Sequence, residues 1–287
     1  MILTKNRETG YARVNGASLH YNVVGEGHPL VMIHAGIADS RMWDRQVAVF
    51  AERYQVITYD MRGFGKSEMP SGDFSHHRDL AGLLKYLVIT RAYLLGSSMG
   101  AAIAINCALE FPEYADALIL AAPAVEGYRF KDAATREMWR AVDRALGQGR
   151  YEEAADLELQ MWVAGPKRAI GQVDHSIVRL VREMLLPTYR IPSDRGTEQQ
   201  LEPPAIERVA DLRIPTMVMV GDQDVPDIQK VADLLVRTIP AASKAIIPGT
   251  AQLLNMERPE EFNRVVSDYL AHQRVNSWDT TTPDRFR

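Results

Sequence analysis

The stretch Gly96-Ser97-Ser98-Met99-Gly100 constrains this chain more than any other. It lies between an apolar run at 92–95 and a small-residue helical segment at 101–111. A strand that reverses into a helix within so few residues leaves little room for side chains at the flanking positions, and glycine stands at both. The same turn lifts the central hydroxyl, that of Ser98, over the C-terminal edge of the strand. There the N-terminus of the next helix offers backbone N–H groups and the positive end of its dipole. Taken as chemistry, the turn makes Ser98 a candidate nucleophile. Taken as architecture alone, it is a tight strand-to-helix connection. Ser97 is adjacent but does not occupy the central position.

Around this turn the sequence alternates between two periodicities. Runs at 11–14 and 18–24 flank Asn15-Gly16, a dipeptide suited to a type I′ hairpin turn because both central positions need positive φ. Further strand-like runs fall at 30–34, 55–59, 92–95, 117–122, 216–220 and 244–247, and helical spacing at 40–52, 78–89, 101–111, 229–238 and 259–272. That alternation predicts an α/β fold, a mostly parallel sheet flanked by helices. Between 125 and 208 the rhythm is lost. Only helical patterns remain, at 133–146, 151–162 and 177–186, broken by Pro166, Pro187, Pro192, Pro203 and Pro204. The expected organisation is a core formed by 1–123 and 209–287, with a helical block at 124–208 inserted over one end of the sheet. The last dozen residues are polar and read as a loose tail.

Composition excludes several functions. The chain has 287 residues, 46% of them hydrophobic, which is enough for a core without metals or disulfides. A net charge of −4 speaks against non-specific nucleic-acid binding and against a polybasic membrane anchor. The one cysteine, Cys107, allows no intrachain disulfide and reads as a small core residue. No apolar run approaches the roughly 20 residues that span a bilayer, and the first ten residues do not resemble a signal peptide. A cytoplasmic protein is expected. No metal-ligating spacing is present, and Gly63-Phe64-Gly65-Lys66-Ser67 lacks the first glycine of a phosphate loop. No metal is therefore expected, and the reactions considered below call for no cofactor. Neither nucleic acid nor membrane is an expected partner, and a homodimer is compatible with the sequence.

Several segments, in order, resemble the α/β-hydrolase family, in its serine-nucleophile branch with a helical cap. They are His34-Ala35-Gly36 after a strand, Asp60-Met61-Arg62-Gly63-Phe64-Gly65-Lys66-Ser67, the turn at Ser98, Phe111-Pro112, and Gly221-Asp222-Gln223-Asp224 after a late strand. The resemblance runs from about 11 to 272. It implies that Ser98 is the nucleophile and that the backbone N–H groups of Gly36 and Met99 form an oxyanion hole. It also implies that Asp224 is the acid, with Asp222 and Glu126 as alternatives, and that Asp60 and Arg62 act structurally.

One position departs from the family. The segment Gly249-Thr250-Ala251-Gln252-Leu253-Leu254-Asn255-Met256-Glu257-Arg258-Pro259 matches the family's histidine loop without a gap, but Gln252 stands where the catalytic histidine is expected. A neutral amide donates and accepts hydrogen bonds but takes no proton near neutral pH. Two origins are open: a histidine-to-glutamine substitution introduced to trap a ligand or acyl-enzyme, or a natural variant that binds or uses other chemistry. The intact nucleophile and acid favour the first. Among other histidines, His34 is expected to be structural, His175 to lie in the cap within reach of the site, and His76 and His77 to form a solvated pair. Met138-Trp139 and Met161-Trp162 could line an apolar pocket, although packing within the cap is the plainer expectation. The expected function is hydrolysis of a small, fairly apolar carboxylic ester or lactone through an acyl-enzyme on Ser98, impaired by Gln252. The alternatives are carbon–carbon bond hydrolysis of ring-cleavage products and a non-catalytic ligand-binding pseudo-hydrolase.

Overall fold

The computed structural model describes residues 7–192 and 195–273. The chain opens with a hairpin, β1 (Arg7–Val14) and β2 (Ala17–Val24). Asn15 and Gly16 turn it with φ of 47° and 78°, the two positive angles the dipeptide predicts. β3 (His28–Ile33) follows. A 3₁₀ turn at Ser40–Trp43, capped by the Asp39 carboxylate, leads into α1 (Asp44–Phe50). The single helix expected at 40–52 is therefore split, because the cap fixes a tighter first turn. Next come β4 (Tyr54–Tyr59), the two-residue β5 (Asp73–Phe74), α2 (His76–Tyr86), β6 (Ala92–Ser97), α3 (Met99–Glu110) and β7 (Ala115–Ala121).

The segment between β7 and the next strand of the main sheet is mostly helical. It contains α4 (Ala133–Gly147), α5 (Tyr151–Glu158), a π-helical turn at Leu159–Ala164, α6 (His175–Leu185), the two-residue β8 (Thr197–Glu198) and α7 (Ala205–Arg208). The pattern at 151–162 does not continue as one α-helix, because the backbone widens after Glu158. β8 is a strand that the sequence pattern does not announce; it pairs with β5 and so ties this segment to the loop after Ser67. The chain then closes with β9 (Thr216–Gly221), α8 (Pro226–Thr238), β10 (Ala242–Ile247), the single-turn α9 (Leu254–Glu257) and α10 (Pro259–Ala271). The expected loose tail falls outside the described residues.

The main sheet has the order β1-β2-β4-β3-β6-β7-β9-β10. Its first two pairings are antiparallel and the others parallel. The central strands β6, β7 and β9 are buried almost throughout, which is why their sequences read as continuous apolar runs rather than alternating ones. One hydrophobic core runs from the hairpin through the sheet into the inserted helices, and Cys107 is fully buried within it. A smaller cluster of Val142, Ala145 and Ala154 joins α4 to α5.

His76 and His77 are not a solvated pair. Both are buried in the first turn of α2, which packs on α3. His77 bonds Glu110 at 2.5 Å, and His76 meets the Phe74 ring edge-on. Ser75 starts the helix earlier than the apolar spacing indicated, which draws both rings inside. Burial, with the nearby His34 and Arg62, pushes His76 down to about 3, so it stays neutral.

The loop from Asp60 to Ser67 locks the hairpin to the rest of the core. Asp60 accepts the N–H groups of Ser40 and Lys66, both at 2.9 Å. Arg62 forks onto Asp79 at 2.8 and 2.9 Å and reaches the Asn15 carbonyl at 2.9 Å. Both members of the Arg62–Asp79 pair are almost fully buried. Removing one member leaves a buried, uncompensated charge. Arg62→Leu is expected to lower the unfolding free energy by about 3–5 kcal/mol, read by urea denaturation; a loss below about 1 kcal/mol would refute this structural role.

Candidate active site

Ser98 stands between β6 and α3 with φ 52° and ψ −112°, a conformation costly for any residue with a side chain. The neighbours hold it there. Its N–H donates to the Ala121 carbonyl at 2.9 Å, and its carbonyl accepts from Ala101 at 3.0 Å and Ala124 at 3.2 Å. A Cβ at Gly96 would fall on the Gly100 carbonyl, and one at Gly100 on the carbonyls of Ile33 and His34. Glycine at these two positions is thus a steric requirement.

Gly36 lies in the loop after β3, against the Met99 side chain. His34 fixes that loop. Its Nε2 accepts the Met61 N–H at 2.9 Å, so its Nδ1 carries the proton, donated to the Ala35 carbonyl at 2.8 Å. With its one lone pair engaged, and with burial lowering its basicity, His34 has no means of acting as a base. Met99 is the first residue of α3, so its N–H has no partner within the helix. The two N–H groups assigned by resemblance to an oxyanion hole therefore sit on adjoining segments beside Ser98.

The loops after β9 and β10 are stitched together. The Gln223 N–H donates to the Thr250 carbonyl at 2.9 Å, and the Asp222 carboxylate accepts the Gly249 N–H at 2.7 Å. This brings Gln252 to the serine: its Nε2 donates to Ser98 Oγ at 2.5 Å. Asp224 is buried and accepts its neighbour's N–H, that of Val225, at 2.7 Å. Two buried oxygens of these joined loops, Asp224 Oδ2 and Gln252 Oε1, have no hydrogen-bond partner among the described residues. Burial pushes the Asp224 carboxyl up to about 8, a rise that the Glu257 charge reinforces and that the Val225 N–H and Arg168 only partly oppose.

Other candidates are employed elsewhere. Asp222 holds the Gly249 loop, and its hydrogen bonds keep it below the usual carboxylate range. Glu126 accepts from Asn106 at 2.5 Å and from the Leu201 N–H at 2.7 Å, joining α3 to the inserted segment. His175 lies exposed at the start of α6 and does not line the cleft. Among the described residues no histidine lines it.

Above Ser98 is a cleft of about 370 Å³, walled by Ile37, Met99, Phe130, Trp139, Met161 and Trp162 among others. Of the two Met-Trp pairs, Trp139, Met161 and Trp162 line it, whereas Met138 does not and packs on the core. Sequence reasoning missed Arg168. This guanidinium pairs with Glu257 at 2.6 Å and also reaches the carbonyls of Val163, Ala164 and Gly249. Glu257 in turn accepts the Ala251 N–H at 2.8 Å. The pair fastens the π-helical turn to the loop bearing Gln252. Arg168 lies in a segment with no recognisable motif, so no sequence signal distinguished it from a surface arginine.

Residues 30–265 match the sequence profile described as the alpha/beta hydrolase family. The chain belongs to the alpha/beta hydrolase family. Curated relatives include a putative carbamate hydrolase, RutD, of Azorhizobium caulinodans, 27% identical over 89% of this chain and 96% of that protein. Another is the 2-hydroxy-6-oxo-6-phenylhexa-2,4-dienoate hydrolase of Comamonas testosteroni, 35% identical over 42% of this chain and 47% of that protein. Among solved structures, the enol-lactonase from Burkholderia xenovorans LB400 has the same fold. Its TM-score is 0.72 at 23% identity, covering 91% of this chain and 99% of that one. In this family member, then, a glutamine amide is bonded to the serine at the strand-to-helix turn.

The Asp224 carboxyl gives the site a signature in stability. It ionises at roughly 4 in the unfolded chain and at about 8 when folded. Between those values the folded protein keeps a proton that the unfolded chain has released, so stability falls as pH rises through the window and the loss is complete above about 8. Asp224→Asn removes this titration. Its urea-unfolding free energy, measured beside the parent from about pH 5 to 9, is expected to gain on the parent as pH rises. Parallel profiles would refute the burial of a protonated acid.

Proposed function

We propose that this chain is built as a serine hydrolase of a small, fairly apolar carboxylic ester or lactone, and that Gln252 impairs it. The observation that carries this reading is Ser98 held at φ 52° at the floor of the cleft, with the Gln252 amide on its hydroxyl. In the proposed reaction Ser98 Oγ attacks the substrate carbonyl. The Gly36 and Met99 N–H groups receive the developing oxyanion, and the alcohol leaves from an acyl-enzyme that water then hydrolyses. The attack requires a group that accepts the serine proton. A carboxamide does not accept it in either orientation, and as a donor it draws electron density from Oγ.

The two orphaned oxygens support a site shaped around an imidazole. A histidine at 252 would present an N–H towards the buried acid and a lone pair towards the serine, which Gln252 does not do simultaneously for Asp224 Oδ2 and Ser98. The imidazolium formed during turnover would also favour ionised Asp224.

A second reading, carbon–carbon bond hydrolysis of ring-cleavage products, draws on the partial match to the Comamonas testosteroni hydrolase. A third, ligand binding without turnover, draws on Gln252 itself. Soluble cytoplasmic residence and a small-molecule partner belong to the same proposal; no described helix is long and apolar enough to cross a membrane.

The test compares the chain as written with Gln252→His over a panel of p-nitrophenyl esters and lactones. The histidine variant is expected to gain on the order of 10⁴–10⁶ in turnover, and adding Ser98→Ala should abolish the gain. A folded Gln252→His protein with no gain on any ester or lactone would overturn the hydrolase reading.

A further inference from the structure

The cleft above Ser98 carries acid where its periodicity calls for apolar residues. Trp139, Val142, Asp143 and Leu146 of α4 follow the i, i+3, i+4, i+7 spacing of one helix face, and all four line the cleft. Glu158, Met161 and Trp162 form the facing wall, from the last residue of α5 into the π-helical turn. Glu158 thus sets a half-buried carboxyl in an otherwise apolar wall, and Asp143, exposed, stands at the rim of the facing one. None of the cleft's lining residues is basic, and neither Asp143 nor Glu158 makes an ion pair among the described residues; Arg136 and Arg140 line the adjoining outer hollow that shares Phe130, Trp139 and Asp143.

Beside these acids is an aromatic cluster. Phe130 lies 5.4 Å from Trp139 and 6.2 Å from Trp162, centroid to centroid, and the two tryptophans are 6.2 Å apart. The rings pack on one another and leave no room for a guest among them, so they act as a wall rather than a closed cage. Indole and phenyl faces attract a cation placed over them. Trp139 is about half exposed, so part of this wall is open to an incoming ligand.

We propose that the cleft takes a substrate bearing an ammonium group, an ester of an amino alcohol or a close analogue, with Glu158 and Asp143 as its counter-charge and the Phe130–Trp139–Trp162 cluster as its wall. The proposal rests on the hydrolase reading above for the reaction, not for the binding, and narrows its fairly apolar ester to one that carries a cationic head.

Glu158 also makes the preference sensitive to pH. Burial raises its carboxyl to about 7, with Asp143 of α4 adding to the rise and the Tyr189 phenol opposing it. Arg182 of α6, whose charge is felt at Tyr189, is itself bound to Glu152 and Asp156. Below about 7 Glu158 is neutral and offers a cation little. Above it, the ionised group is available.

The experiment uses butyrylcholine and 3,3-dimethylbutyl butyrate, which share a shape and differ in charge. Binding to the chain as written is followed by calorimetry, so no turnover is needed. At pH 8 the cation is expected to bind at least about tenfold more tightly than its neutral twin. That advantage should shrink several-fold at pH 6. It should also be largely lost in Glu158→Gln, which keeps the side chain's size and polarity, and be reduced in Asp143→Asn. Equal affinity for the two esters, no saturable binding of the cation, or a preference untouched by both substitutions would each overturn the proposal. If Gln252→His hydrolyses neutral esters while the charge preference is absent, this inference fails and the hydrolase reading stands. If the preference is present and Gln252→His is inert, the reverse holds.

Discussion

The close approach of backbone to backbone around Ser98 sets the terms for everything nearby. Gly96 and Gly100 let β6, α3 and the end of β3 come closer than any Cβ would allow. Because the strand, the helix and the loop after β3 meet there, one strained residue has its hydroxyl, a helix N-terminus and the Gly36 loop within a single small volume. The strain at Ser98 is sustained by hydrogen bonds to Ala121, Ala101 and Ala124, which in turn depend on the pairing of β6 with β7. Site and sheet are therefore one construction.

Polarity in this site runs against the usual pattern of a serine hydrolase. The Asp224 carboxyl is buried and holds its proton near neutral pH. The serine receives a hydrogen bond where it would ordinarily give one up. In a serine triad the carboxylate orients an imidazole that takes the hydroxyl proton; the positions that the resemblance matches to those two groups hold here a carboxyl that keeps its proton and an amide. A buried cluster of neutral groups avoids the cost of desolvating a charge, and under the proposed function it would deprive Ser98 of a base.

Much of the fold was legible because its strands are either fully buried or bounded by clear turns. The Asn15-Gly16 hairpin and the run through β6 into Gly96 announced themselves through backbone requirements that few residues meet. The helical segment after β7 was legible in outline only. Its π-helical turn breaks the 3.6-residue period, and β8 is too short to leave an alternating pattern. His76 and His77 were misread because histidine has no hydropathic signature: only the start of α2 and the Glu110 partner decide that they face inward. Ser98, Asp224 and Gln252 could be found by motif spacing. Glu158 and Arg168 could not, since their surroundings are assembled from helices distant in the chain.

The Arg168–Glu257 pair bears on how such proteins can be recombined. It spans the seam between the inserted helices and the closing strands, and its two members arrive from segments that a modular exchange would separate. An insertion grafted from another family member without an arginine at this position would leave Glu257 charged and unmatched beneath it. It would also unfasten the Val163, Ala164 and Gly249 carbonyls that share the guanidinium. The helical block is thus less portable than its continuous stretch of sequence implies, and a productive chimera would have to carry both halves of the clasp.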